Sequence, residues 1–193
     1  MILKNIHNKL EWMTSKSSIT GLFFLSHAIL LLMLLFTFPH INAKLGTEAF
    51  DLKTFGYSQE EAIRMLQNLD KVTIDFYIFP QLFLLDLLYP ILLALFLSTL
   101  IVRLSNLIKI NEYHVFSNLF ILPFIAMIFD YIENVMITLM LINPINVTPE
   151  VIKTASICTQ LKGAFTTLSW FVILILFIIL IIKKPNALRR IDK

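Results

Sequence analysis

The chain has 193 residues, of which 58% are hydrophobic and only 15% charged, and its formal net charge is +3. Soluble domains carry about 25% charged residues, so this composition excludes an ordinary soluble domain and favours the bilayer as solvent. No basic cluster is interleaved with aromatic residues, and we therefore expect no nucleic-acid binding. The single cysteine excludes an internal disulfide and any Cys-x-x-Cys redox or zinc motif.

Four apolar stretches are long enough to cross a hydrocarbon core of about 30 Å, which takes roughly 20 helical residues. They predict transmembrane helices over residues 18–38, 76–102, 115–142 and 149–182. The first stretch exceeds the roughly 7–15 residues of a signal-peptide core, so we expect an uncleaved helix. The predicted fold class is all-α: residues 1–193 form a single transmembrane domain, a polytopic four-helix bundle.

The first loop, residues 39–75, is the only long segment outside the predicted spans. Ser58 with Glu61 three residues later forms a capping box, which is typical of a helix start. Apolar residues then recur at helical spacing and predict a short amphipathic helix from Gln59 to about Leu69. Such a helix either seals the end of the bundle or controls access to it, and periodicity does not separate the two roles.

Basic residues are distributed unequally between the two sides of this topology. The N-terminal segment, the second loop and the C-terminal tail are rich in Lys and Arg, whereas the first loop and its flanks carry most of the acids. Short cytoplasmic flanks carry an excess of Lys and Arg in membrane proteins. The sequence therefore predicts a multi-pass protein of the cell membrane with both termini in the cytoplasm.

Polar groups inside the predicted spans are the candidate site, because a bilayer penalises them unless they are paired or functional. His27 lies in the first span, Asp86 in the second, and Asp130, Glu133 and Asn134 in the third. The last three are spaced i, i+3, i+4 and share a helix face that should point into the bundle. At about 1.5 Å per residue, the residues of the three helices reach similar depth. These five residues are the predicted ligand-binding site, and a buried hydrogen-bond network is the structural alternative.

Pro90 lies four residues after Asp86 and leaves the Asp86 carbonyl without its helical donor. The acids cannot all be ionised in a dry site, so we expect them to share a proton. His27 is the only basic partner expected at that depth. Lys162 is placed at the outer edge of the fourth span, from which it can reach Glu133 by snorkelling.

The fourth span carries a stripe of small and polar residues at helical spacing, formed by Thr159, Gly163, Thr166 and Trp170. Small residues let membrane helices pack closely, so the stripe predicts a packing seam. The functional interpretation is that it forms a fourth wall of the polar pocket.

Three motifs resemble a pattern in bacterial four-helix membrane proteins of uncharacterised activity: Tyr57-Ser58 with Glu61-Ala62, Asp86-x-x-x-Pro90, and Asp130-x-x-Glu133-Asn134. That resemblance covers most of the chain and implies a fold without an activity. The segment from Gly21 to His27 and the acid-before-proline pair are also similar to the EXPERA proteins, the sterol isomerase and sigma-2-receptor group. That resemblance implies a site for sterols or amphiphilic amines around buried acids, although Tyr89 stands where that family has glutamine.

The sequence favours a protein surrounded by membrane lipids that binds, or also transforms, a lipid-like or amphiphilic small molecule through its carboxyl groups. Two alternatives stay open: a proton-coupled small transporter acting as a homo-oligomer, and a non-enzymatic partner or assembly subunit. The chain has no Glu-x-x-His pair, Gly-x-Ser-x-Gly elbow, Gly-rich phosphate loop or His-Glu-x-x-His motif. We therefore predict no metal and no cofactor.

Overall fold

The structure, a computed structural model, describes residues 2–109 and 118–188. In these two ranges the chain forms helices and no strand. Four helices are long and apolar enough to cross a membrane. This confirms the predicted all-α four-helix bundle and is compatible with a multi-pass membrane protein.

The described residues contain six main helices, which we number α1 to α6 along the chain: Ile2–Trp12, Lys16–Leu45, Gln59–Gln67, Lys71–Ile108, Leu119–Ile142 and Pro149–Leu188. The four candidate spans are α2, α4, α5 and α6. Helices α2 and α4 continue beyond their predicted ends, so the first loop is shorter than predicted. The start of the predicted third span, residues 115–117, lies outside the described ranges, as do the tail residues 189–193.

Helices α2 and α4 each contain a π-helical stretch, and the two stretches lie against each other. They cover Met33–Thr37 in α2 and Tyr77–Leu85 in α4, and the second is interrupted at Phe79, whose φ of −139° and ψ of 120° are not helical. The Thr37 hydroxyl donates to Gln81 Oε1 at 2.5 Å, and both side chains are buried. Local π-helical turns often accompany functional positions in helices. Asp86 is the first residue after the longer stretch, so this irregular segment leads directly into the candidate site.

Two apolar cores occupy the two ends of the bundle, with a polar layer between them. One core lies at the end where the first loop folds and includes Ile41, Phe50, Met65, Tyr77, Ile137 and Ile152. The other lies at the opposite end and includes Leu10, Phe96, Leu97, Ile101, Phe120 and Leu176. Along α4, α5 and α6 alike, buried polar residues lie between the two cores. This sequence pattern places the candidate site in the interior.

Residues 46–70, which we call the cap, close one end of the bundle. Helix α3 begins after Ser58, whose hydroxyl accepts from the Glu61 backbone N–H at 3.1 Å. Its apolar stripe is buried at Ala62, Met65 and Leu66. The predicted amphipathic helix is therefore present, with its apolar stripe packed against the bundle end.

The cap lies directly on α6. The Tyr57 backbone N–H donates to the Ser156 hydroxyl at 2.9 Å, and that hydroxyl donates back to the Tyr57 carbonyl at 3.0 Å. Gly56 has a φ of 81°, and a Cβ at this position would meet Ser156 Oγ at 2.6 Å. A Cβ at Gly163 would meet Thr54 Cγ2 at 2.7 Å. One glycine on each side therefore permits the close approach of cap and helix.

Helix α4 begins after an exposed N-cap residue, Asp70, that also joins α4 to α2. Asp70 Oδ1 accepts from the Thr73 backbone N–H and hydroxyl, each at 2.8 Å, and Lys44 Nζ lies 3.0 Å from Asp70 Oδ2. The Thr73 backbone N–H, with help from the two side chains, lowers the pKa of Asp70 to about 2. Asp70 therefore keeps the negative charge that suits a helix N-terminus.

Replacing Gly56 with alanine tests the seating of the cap. Gly56→Ala should lower the free energy of unfolding by about 1–2 kcal/mol, because a side chain disfavours the left-handed backbone and here also displaces Ser156. Thermal unfolding in detergent measures the change. Gly21→Ala is the matched control, since its Cβ meets nothing within 4 Å. Equal unfolding temperatures for the two variants would contradict the close packing of the cap on α6 at Gly56.

Candidate functional site

The polar layer brings together buried carboxyl groups from three parts of the chain. Asp86 comes from α4, Asp130 and Glu133 come from α5, and Asp51 comes from the Phe50–Leu52 turn of the cap. All four side chains are buried. Sequence reasoning missed Asp51 because it lies in a loop, outside every predicted span. A loop acid that precedes an apolar helix carries no signal that it folds inward.

Lys162 of α6 is the cation of this layer. Its Nζ lies 3.0 Å from Asp130 Oδ1 and 2.5 Å from Glu133 Oε2, and its side chain is only 16% exposed. The expected pairing with Glu133 is therefore present, but in the interior and not at the outer edge. The reason is that α6 begins at Pro149, which puts Lys162 about 20 Å along the helix and beneath the cap.

Glu133 is held from two positions on α6. Besides Lys162, the Thr159 hydroxyl reaches Glu133 Oε1 at 2.6 Å, and the same hydroxyl lies 3.0 Å from the Ala155 carbonyl. Lys162 and Thr159 are three residues apart and share a helix face. The polar stripe of α6 thus forms a wall of the polar layer, as the functional interpretation predicts. Trp170 lies outside this layer, against Phe96 at a ring-centroid distance of 6.1 Å.

Asp51 and Asp86 provide two further buried carboxyl groups beside those of Asp130 and Glu133. The Tyr77 hydroxyl donates to Asp51 Oδ2 and accepts from the Phe50 backbone N–H at 3.1 Å. The Asp51 and Asp86 carboxyl groups line the same cavity. Asp51 Oδ1 and Asp86 Oδ2 are buried and have no hydrogen-bond partner among the described residues. An ionised carboxylate only accepts hydrogen bonds, so each of these oxygens lacks a donor.

Tyr57 covers the layer from the cap side. Its ring packs against Phe50 with the centroids 5.0 Å apart. Burial raises the pKa of Tyr57, and the nearby Glu133 and Asp51 carboxyls raise it further. The phenol therefore stays neutral and adds no charge to the layer.

Asn134 contacts the backbone of α4 rather than the acids. Its Nδ2 donates to the Asp86 backbone carbonyl at 3.1 Å, which Pro90 leaves without a helical donor. The Tyr131 hydroxyl donates to the neighbouring Leu87 carbonyl at 2.9 Å. Asn134 thus replaces the hydrogen bond that the proline removes, and the carbonyl expected to be free is occupied.

His27 lies apart from the acids. Its Nδ1 is 2.8 Å from the Phe23 carbonyl, and its ring packs on Phe23 and Phe96 with centroid distances of 4.2 and 5.9 Å. Phe96 belongs to the core at the end opposite the cap. The expected match in depth fails for His27 because α2 continues to Leu45, which places His27 further from the cap than predicted.

A cavity of about 290 Å³ borders the polar layer. Its polar side is formed by Asp51, Asp86, Asp130 and Lys162, and its apolar side by Leu30, Met33, Phe38, Leu52 and Leu93. Helix α2 packs mainly on α4, and α6 packs on α5 and α4, while α2 and α6 make little direct contact. The cavity is lined by both α2 and α6, so it lies at the gap between them. In the described ranges, no group of three or more metal-ligating side chains is arranged to hold a metal ion.

No family model, curated protein or solved structure matches the chain. The resemblances to bacterial four-helix proteins and to the EXPERA proteins therefore stay predictions. What the site does has to be argued from its own geometry.

Replacing Lys162 tests whether its positive charge stabilises the buried carboxyl groups of Asp130 and Glu133. Lys162→Met should destabilise the protein by about 3–5 kcal/mol, because it leaves two buried carboxyl groups without their partner. Chemical or thermal unfolding in detergent measures this loss. Adding Asp130→Asn and Glu133→Gln to the same chain should restore much of the stability. Lys44→Met, which breaks the half-exposed pair with Asp70, is the control and should behave like the wild type.

Proposed function

We propose that the chain binds a small amphiphilic molecule in the cavity beside the polar layer. The observation that carries this proposal is the two-sided lining: carboxyl groups of Asp51, Asp86 and Asp130 on one side and aliphatic side chains of α2 and α4 on the other. Small-molecule sites combine a mostly apolar lining with a few placed polar groups. At about 290 Å³ the cavity is at the small end of such sites.

The charges of the layer favour a head group that donates hydrogen bonds or carries positive charge. Lys162 is already paired with Asp130 and Glu133. The Asp51 and Asp86 pair has no cation of its own among the described residues and faces the cavity. Buried carboxyl oxygens without donors are costly, so a ligand ammonium or hydroxyl group placed there gains charge-assisted hydrogen bonds.

The position of the cavity favours access from the bilayer. The cap covers one end of the bundle, and the apolar core that includes Phe96 and Phe120 fills the other. The gap between α2 and α6 is the remaining side, and Leu30 and Thr167 border it. We infer that a ligand enters sideways from the lipid, with its apolar part against α2.

A second candidate function is proton-coupled transport of the same kind of molecule. The buried Asp51 and Asp86 carboxyl groups, which both line the cavity, favour it, because acids inside a membrane bundle often serve as proton relays. The binding experiment below separates the two functions.

The test uses a photoreactive dodecylamine and its neutral alcohol analogue in proteoliposomes. Asp86→Asn should weaken labelling by the amine about tenfold or more, because it removes a charge-assisted hydrogen bond in a buried site. Asp75→Asn is the matched control, since Asp75 is an exposed acid on the same helix. Wild-type labelling in Asp86→Asn would overturn the proposal. Accumulation of amine driven by a pH gradient would identify transport, and labelling without accumulation would identify binding alone.

We also propose that the cap faces away from the cytoplasm. Basic residues at the opposite end include Lys4, Lys9, Lys16, Arg103, Lys109 and Lys183, accompanied there by the acid Glu11. Cytoplasmic flanks are enriched in Lys and Arg, which supports both termini lying in the cytoplasm.

Single cysteines test this orientation. The one native cysteine, Cys158, is buried and is replaced by serine to give a cysteine-free background. A cysteine at Glu60 should react with an impermeant maleimide on intact cells, whereas one at Lys9 should react only after permeabilisation. Both positions are exposed in the structure. The reverse pattern would invert the topology.

A further inference from the structure

A second cavity, which we call the α4–α5 groove, lies between those two helices and shares no lining residue with the acid cavity. Its volume is about 380 Å³. Apolar side chains form most of its wall, namely Leu82, Phe83, Leu87, Val135 and Leu139. Phe83, Leu87 and Val135 are each more than half exposed, so the groove opens on the lipid-facing surface of the bundle.

Asn134 gives this apolar groove one polar group with an unmet requirement. The residue lines the groove and is only 9% exposed. Its Nδ2 is committed to the Asp86 carbonyl, which fixes the orientation of the amide because a carbonyl can pair only with the NH₂ end. The amide oxygen, Oδ1, is buried and has no donor among the described residues. A buried acceptor of this kind is costly to leave unpaired.

The other polar groups of the groove have no proton to give. The Thr138 hydroxyl donates to the Asn134 backbone carbonyl at 2.7 Å, and the Tyr131 hydroxyl donates to the Leu87 carbonyl at 2.9 Å. The groove lining contains no charged side chain. The unmet acceptor of the groove is therefore Asn134 Oδ1, in a neutral and apolar setting.

We propose that the α4–α5 groove binds a neutral lipid alcohol, whose hydroxyl group donates to Asn134 Oδ1 and whose hydrocarbon part lies along α4 and α5. An ether or ester lacks the donor that Asn134 needs. An ammonium group would meet no counter-charge in the groove. A buried water needs two to four polar partners, and the mostly apolar walls offer fewer. A single hydroxyl on a hydrocarbon body fits both the orphaned oxygen and the walls.

The test compares two photoreactive probes in phosphatidylcholine nanodiscs, a diazirine-bearing hexadecanol and its methyl ether, with labelled residues mapped by mass spectrometry. The alcohol should label groove residues about tenfold more efficiently than the ether, the factor expected for one hydrogen bond to a buried acceptor. Equal labelling by the two probes would mean that ordinary lipid fills the groove, and it would overturn the proposal.

Two variants locate the effect. Val135→Trp should block the groove and abolish the preference for the alcohol, whereas Ile132→Trp, at a lipid-facing position of α5 that does not line the groove, should keep it. Asn134→Leu should bring labelling by the alcohol down to the level of the ether without abolishing either, which a merely misfolded variant would not do. A preference that survives Asn134→Leu would also overturn the proposal. Amine labelling at Asp86 should be unchanged in Val135→Trp, so this site and the acid cavity can fail independently.

Discussion

The ion pairs of Lys162 with Asp130 and Glu133 are the constraint on which the rest of the interior depends. A carboxylate taken out of water inside a bundle costs several kcal/mol unless a cation and hydrogen bonds meet it. Lys162 and Thr159 provide both from one face of α6, and they hold α5 and α6 together across the polar layer. The apolar cores above and below then exclude water from the layer. The site is therefore also the place where α5 and α6 are joined.

The segment of α4 around Pro90 is the second element that shapes this interior. Pro90 removes one helical hydrogen bond, and Asn134 of α5 donates to the freed Asp86 carbonyl. The Asp86 carboxyl lines the same cavity as Asp51 of the cap, which accepts from Tyr77. As a result α4 has an acidic site on one side and an apolar groove on another. A single irregular helix thus gives the protein two cavities of opposite chemistry.

The sequence predicts the helices far better than the partners of their polar groups. Length and hydropathy suffice for the four spans, and the Ser58 cap suffices for α3, because these signals are local. Asp51 and Lys162 escape such reasoning, since their burial depends on how the cap folds back and how far α6 projects. Asn134 was expected with the acids by helical spacing, yet spacing fixes a face and not which neighbouring helix that face meets. His27 shows the same limit for depth, because π-helical turns and a longer α2 shift it along the bundle.

The position of Lys162 in the last span has a consequence for how the chain is made. Helices enter the bilayer in chain order, so α5 arrives with Asp130 and Glu133 before the lysine that neutralises them has been synthesised. Two acids near the middle of a span weaken its insertion. Until α6 follows, α5 must keep those acids protonated or remain partly outside the hydrocarbon. The fourth span therefore supplies the charge that the third needs in a hydrocarbon interior.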